Sequence, residues 1–155
     1  MQVRSNERLL VGHAFEAVQY RVYPETPLSE VIDLMVRRDV RAVPVVGDQY
    51  EVLGIITTGD ALDQVLRDVP AEEAETEGET RGERLTAREV MTRAVLCVSE
   101  SQHLVDAARM MVSRKVRQLP VVRDGELIGL ITTDAILRAL HAGSPDTDDE
   151  PKDNS

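Results

Sequence analysis

Apolar residues recur at helical spacing in Leu28, Val31, Ile32, Met35 and Val36, and the same stripe returns at Leu104, Ala107, Ala108, Met111 and Val112. Both stripes predict amphipathic helices. Ahead of the first, Thr26 is placed to cap and Pro27 to take the first helical position, where a missing N–H costs nothing. Short β-prone runs precede the helices, Q-Y-R-V at 19–22 and A-V-L-C-V at 94–98, and these read as first strands. After each helix, V-P-V-V (43–46) and L-P-V-V (119–122) read as second strands, G-D-Q-Y-E and R-D-G-E as hairpin turns, and V-L-G-I-I-T and L-I-G-L-I-T as third strands. The third strands are continuous apolar runs, the pattern of strands covered on both faces. A last helix begins near Asp60 or Asp134, with apolar Leu62, Val65 and Leu66, or Ile136, Leu137 and Leu140. The predicted order is strand, helix, strand, strand, helix, twice over, an α/β (α+β) chain.

The two halves are copies. Sliding the chain by 76 residues lays V-R-A-V-P-V-V (40–46) on V-R-Q-L-P-V-V (116–122), and L-S-E-V-I-D-L-M-V-R-R on L-V-D-A-A-R-M-M-V-S-R. With one residue deleted, G-I-I-T-T (54–58) falls on G-L-I-T-T (129–133). The boundaries that follow are an N-terminal extension 1–12, a first repeat 13–67, an acidic linker 68–85, a second repeat 86–141 and a tail 142–155. Such repeats generally bury their apolar faces against each other.

With 155 residues, 42% hydrophobic, the chain can bury one modest core or two small ones, and it is too short for a multidomain enzyme. No apolar run approaches the roughly 18 to 20 residues of a membrane span, and M-Q-V-R-S-N-E-R lacks the apolar stretch of a secretory signal. Cys97, the single cysteine, has no intrachain partner for a disulfide, so a reducing cytoplasmic setting and no membrane association are expected. Of the formal net charge of -10, residues 67–84 and 144–155 each hold -4. The remaining body balances fourteen basic residues against sixteen acidic ones, with no positive field for a nucleic acid. The linker and tail are expected to be solvated and disordered, the tail especially.

The motifs E-T-P-L-S-E-V-I-D-L-M, R-A-V-P-V-V and G-I-I-T-T-G-D in the first copy, with E-V-M-T, L-V-D-A-A-R-M-M, R-Q-L-P-V-V-R-D-G and G-L-I-T-T-D in the second, resemble a tandem pair of cystathionine β-synthase (CBS) domains, the Bateman module. The resemblance covers nearly all of residues 13–141. It implies two β-α-β-β-α repeats packed with pseudo-two-fold symmetry, leaving two clefts that in relatives bind adenine nucleotides or other adenosyl compounds. It also implies a homodimer formed through the faces of the paired modules. Where the second copy has E-V-M-T, the first has A-F-E at 14–16, so the segment leading into the first repeat has diverged.

An adenosine phosphate needs an apolar slot for the base, a carboxylate for the ribose hydroxyls, and hydroxyls, backbone N–H groups or cations for phosphate. In G-I-I-T-T-G-D, Thr57 and Thr58 stand at the strand end, and the turn through Gly59 puts Asp60 at a helix start, where free N–H groups and the positive dipole end face outward. The resemblance assigns ribose contact to Asp60, phosphate contact to the threonines, and base contact to Ile55 and, in the second copy, Leu130. A helix cap worth about 1 kcal/mol is the structural alternative for Asp60. In the second copy Thr132 and Thr133 match the threonines, but two registers are open. Without a gap Ala135 takes the place of Asp60, and with a one-residue gap Asp134 does; one position turns a helical side chain by about 100°.

Arg37, Arg38, Arg114 and Lys115 follow the first helices, where cations stabilise the dipole by about 0.3 to 1 kcal/mol. Arg41 and Arg117, three residues before the prolines, match a position where relatives carry a phosphate-binding basic residue. No P-loop is present, His13, His103 and His141 lie far apart in sequence, and Cys97 falls in an apolar run, so neither a metal site nor a catalytic nucleophile is expected. The sequence thus points to a regulatory module with no required cofactor and no enzymatic activity. It would sense an adenine nucleotide or S-adenosylmethionine and signal to an effector protein not named by the sequence. A dimerising scaffold with vestigial, ligand-independent clefts is the competing reading.

Overall fold

The two amphipathic stripes form helices where expected, and the chain as a whole is a mixed α/β structure. The computed structural model of the protein describes residues 8–68, 84–93 and 95–142; the centre of the acidic linker and the acidic tail lie outside the described residues. In chain order the elements are a 3-10 turn (Val11–His13), β1 (Glu16–Ala17), α1 (Leu28–Arg38), β2 (Ala42–Val46), β3 (Val52–Thr57), α2 (Thr58–Asp68), α3 (Ala87–Val90), β4 (Val98–Ser99), α4 (Leu104–Arg114), β5 (Gln118–Arg123), β6 (Glu126–Thr132) and α5 (Thr133–Ala142). Two compact units result, one from Gln19–Val95 and the other from Met1–Val18 with Leu96–Ser155.

In the first unit, β2 and β3 form an antiparallel hairpin, and Leu28, Val31 and Met35 of α1 pack with Val43, Val45 and Ile56 in its core. In the second, β5 and β6 form the matching hairpin, and Leu104, Ala107 and Met111 of α4 pack with Leu119, Val121 and Ile131. Both first helices end the same way: Asp39 (φ 56°) and Lys115 (φ 58°) turn left-handed, and the following Val40 and Val116 N–H groups bond back to Met35 and Met111. The second hairpin turns through Asp124 (φ 53°) and Gly125 (φ 82°), the two positive φ values that a tight two-residue turn requires. Its far end is tied by a forked Arg123–Glu100 pair at 2.6 and 2.9 Å. Hydrogen bonding from Arg123 holds the Glu100 carboxyl below its usual value, so that contribution is present at neutral pH and fades as pH falls through the lowered pKa.

The expected first strands are shorter than the sequence pattern. Of residues 19–22 only Val22 pairs, donating to Pro44 C=O (3.0 Å) and accepting from Val46 N–H (2.9 Å); of the described residues in the second run, 95–98, only Val98 enters β4. The prolines are the reason. A strand residue points its N and its C=O to the same edge, so the N–H that Pro44 lacks is the one that would extend this ladder back to Tyr20. Pro120 stands at the same place beside β4. The cap predicted at Thr26 also differs: Pro27 is the N-cap of α1 and the helix starts at Leu28, while Thr26 Oγ1 accepts from Tyr23 N–H (3.0 Å). Pro27 has an extended ψ of 144°, so the chain turns into the helix one residue later than the pattern suggested.

Each unit is completed by the segment that leads into the other repeat. In the first unit Thr92 exchanges two hydrogen bonds with Ile55 (2.9 and 3.1 Å), and Leu28 N–H bonds Leu85 C=O (2.8 Å). In the second, β1 pairs with β6 through Glu16 and Leu130, and Leu104 N–H bonds Leu9 C=O (2.8 Å). The sheets consequently run β4-β5-β6-β1 in one unit and Val22-β2-β3-Thr92 in the other. Glycine permits the approach. A Cβ on Gly54 would meet Met91 and, at 2.7 Å, Thr92 O, and one on Gly129 would collide with Phe15 and the Glu16 carbonyl.

The lead-in segments match each other in conformation despite their divergent sequences. Thr86 and Glu89 form a capping box before α3, and at the equivalent place Leu10 N–H donates to His13 Nδ1 (3.0 Å). An imidazole nitrogen thus takes over the acceptor role of a carboxylate.

Gly129→Ala is expected to lower stability by about 1 to 3 kcal/mol, because the new methyl meets backbone that cannot yield. Gly59→Ala, whose Cβ would find only Thr57 Oγ1 at 3.8 Å, should be close to neutral. Denaturant midpoints of the two variants compare them directly.

Candidate functional site

Strand β3 passes into α2 with no intervening loop, because Thr57 is at once the last strand residue, paired with Ala42, and the residue that caps the helix. Asp60 N–H donates to Thr57 Oγ1 (3.2 Å), and Thr57 N–H donates to Asp60 Oδ2 (2.9 Å). This reciprocal pair is a capping box with aspartate as its acid. Thr58 N–H donates in turn to Arg41 C=O (3.0 Å), fixing the backbone of Arg41 beside the helix start.

Strand alternation sorts the remaining candidates. Ile56 points into the core, whereas Ile55 and Thr57 share the opposite face of β3. Asp60 is half-buried, and Thr58 and Gly59 are exposed. Asp60 uses only Oδ2 in the box, leaving Oδ1 without a partner among the described residues. The exposed Arg41 guanidinium likewise has no partner among the described residues. Its neighbours are engaged: Arg37 pairs with Asp33 (2.9 Å), and Arg38 lies over the Tyr20 ring (5.7 Å from the centroid). The structure therefore brings Arg41, Thr57, Thr58, Gly59 and Asp60 to one corner of the first unit, with Ile55 two residues back along the strand.

The second unit repeats the corner with two substitutions. Thr133 N–H donates to Arg117 C=O (3.0 Å), Gln118 pairs with Thr132, and Thr132 Oγ1 accepts from Ala135 N–H (3.1 Å). Ala135 occupies the place of Asp60, and Asp134 that of Gly59. The register left open by the sequence is closed by the hairpins. Val46 pairs with Val52 but Val122 with Leu127, so the deletion falls in the turn and no second gap follows. Half of the capping box survives, since Ala135 keeps the N–H and lacks the acceptor. Leu130 is half-buried on the face opposite Ile131, Arg117 is exposed without a partner among the described residues, and Asp134 is exposed.

Other chemistry-bearing residues stand apart. His103 stands at the N-cap position of α4 and His141 lies in the last turn of α5. Cys97 is half-buried, and burial pushes its thiol up, away from the thiolate. Among the described residues no three His, Cys, Asp or Glu side chains are grouped to hold a metal ion, and no helix is long and apolar enough to cross a membrane. A groove of about 350 Å³ runs beside α1 of the first unit, lined by Val22, Thr26, Glu30, Asp33 and Arg37 among others; none of the corner residues reaches it. The Arg21–Tyr50 stack (4.5 Å) was not legible in the sequence, because the two residues lie far apart along the chain and meet only in the fold.

The CBS domain profile matches residues 20–67 and 87–142. The chloroplastic CBS domain-containing protein CBSX2 of Arabidopsis thaliana is 31% identical over 137 residues, which cover 76% of this chain and 57% of that one. The chain thus spans little more than half the length of that relative. The structure of CBSX2 in complex with AMP superposes with a TM-score of 0.66, covering 84% of this chain and 95% of that one. The CBS domain pair of MJ0100, in complex with 5-methylthioadenosine and S-adenosyl-L-methionine, gives 0.70 at 20% identity, covering 86% and 96%. The CBS domain of a bacterial CNNM/CorC family Mg2+ transporter, in complex with ATP, gives 0.73 at 18% identity, covering 90% and 92%. A doubled strand-to-helix corner, a doubled hairpin and a profile match over both copies lead to one assignment: the chain belongs to the CBS domain family, as a tandem pair.

Proposed function

We propose that the protein is a regulatory module that binds an adenine nucleotide or a related adenosyl compound such as S-adenosylmethionine and passes the bound state to an effector protein. The observation that carries the reading is the Thr57–Asp60 corner, where a half-buried carboxylate, one of its oxygens without a partner among the described residues, stands at a helix start whose Thr58 N–H is bonded to the backbone of Arg41. In this reading Asp60 Oδ1 accepts from the ribose, Thr57, Thr58, Gly59 and Arg41 face the phosphates, and Ile55 lies against the base. The proposal assigns no catalysis and no required cofactor, and it sets the protein in the cytoplasm. CBSX2 with AMP, MJ0100 with S-adenosyl-L-methionine and the transporter domain with ATP support the ligand class. Binding would act by preferring one conformation, since a ligand shifts an equilibrium only through its differential affinity.

A second reading, a dimerising scaffold, is favoured by a separate observation. Val36 and Val112 occupy the same position in the two repeats and are 74% and 78% exposed, and Leu62, Leu66 and Leu137 are also exposed. Apolar side chains repeated in this way suit a second copy of the chain, and the two readings are compatible in one homodimer.

Nucleotide at a hundredfold excess over its Kd should raise stability by about 2.7 kcal/mol, seen as a melting rise of several degrees. Asp60→Ala is expected to abolish that rise and, through the lost cap, to cost about 1 kcal/mol without ligand. An unchanged rise in this variant would remove Asp60 from the site. Arg41→Ala should weaken ATP and AMP while leaving adenosine unaffected, read as separate calorimetric affinities; equal losses for all three would exclude a phosphate contact. For the homodimer, Val36→Glu combined with Val112→Glu should convert a dimer to monomer in sedimentation, and a wild-type chain that sediments as a monomer would refute it.

A further inference from the structure

The two corners keep the same arginine, the same pair of threonines and an apolar strand residue two positions back, yet they differ in the group that would grip a ribose. Asp60 in the first is Ala135 in the second, as the donation of Asp60 N–H to Thr57 and of Ala135 N–H to Thr132 establishes. A methyl group accepts no hydrogen bond. The neighbouring Asp134 does not make up the loss: it stands one residue earlier, rotated by about 100° about the helix axis, and its side chain is exposed.

Asp134 also alters the phosphate side. In the first corner the equivalent residue is Gly59, which leaves the first turn of α2 open, with nothing nearer to its virtual Cβ than Thr57 Oγ1 at 3.8 Å. In the second, a carboxylate occupies that first turn. It favours the helix dipole, as an acid at a helix start does, and for the same reason it takes the positive end that a phosphate would otherwise use. Two negative groups would then compete for one helix start.

We infer that the protein holds one adenosyl ligand per chain, at the Thr57–Asp60 corner, and that the matching corner at Thr132–Ala135 takes none. The inference rests on the reading of the first corner as a nucleotide site. A hydrogen bond to a charged group contributes about tenfold to a hundredfold in affinity, so loss of the ribose contacts alone places the second corner at least that far below the first. Binding within a chain is accordingly hyperbolic, with a single class of site.

Calorimetric titration of the full chain with AMP counts the sites. One per chain is expected, lost in Asp60→Ala and retained in Asp134→Ala. The double variant Asp134→Gly with Ala135→Asp rewrites the second corner as the first and is expected to show two sites, a gain that damage to the fold cannot imitate. Two sites in the wild type, a single site that survives Asp60→Ala but not Asp134→Ala, or a double variant that stays at one site would each overturn the inference while leaving nucleotide binding in place. Neither heat nor a melting shift with AMP, ADP, ATP or S-adenosylmethionine would remove the nucleotide reading itself, and the site count with it.

Discussion

Backbone hydrogen bonding along the third strand of each repeat is the constraint on which the rest depends. A two-stranded hairpin is marginal in water, and β3 and β6 are too apolar to leave an edge open. Each is therefore bonded on both edges, to its hairpin partner on one and to a lead-in segment on the other: Thr92 against Ile55, and Glu16 against Leu130. The lead-in backbone approaches closely only because Gly54 and Gly129 present no side chain. With both edges held, the strand ends at a defined residue, and Thr57 or Thr132 is delivered to the start of the following helix.

The chemistry of the corner follows from that delivery. A helix start leaves N–H groups without intrahelical partners, and the sequence decides what fills them. In the first unit threonine and aspartate fill them reciprocally, which orients the Asp60 carboxylate and leaves its second oxygen without a partner among the described residues. In the second unit the threonine alone remains. The same backbone thus carries two corners of different chemistry, separated by two adjacent substitutions.

Much of this was legible residue by residue. The stripes at Leu28–Val36 and Leu104–Val112 gave the helices because their periodicity is local to eleven residues, and the Asp124-Gly125 pair gave its hairpin because few residues accept two positive φ values. The doubled P-V-V pattern marked the second strands. It also carries a second signal: a proline whose missing N–H faces the neighbouring strand limits that strand's length, which is why only Val22 of 19–22 and only Val98 of 95–98 pair. The kinship of Leu10–His13 with Thr86–Glu89 had no sequence signal, since imidazole and carboxylate share only the ability to accept one hydrogen bond.

By itself the sequence determined the duplication, the order of the main helices and hairpins in each copy, the family, and the arginines and threonines of both corners with Asp60, because each of these is written in short-range spacing or in self-similarity. Only the tertiary structure decided that each unit borrows the lead-in segment of the other repeat, and that Ala135, not Asp134, stands where Asp60 does. Both depend on which backbone groups bond across long stretches of chain. A periodicity confined to one element carries no record of its partner, and a one-residue gap has no fixed place until paired strands locate it in the turn.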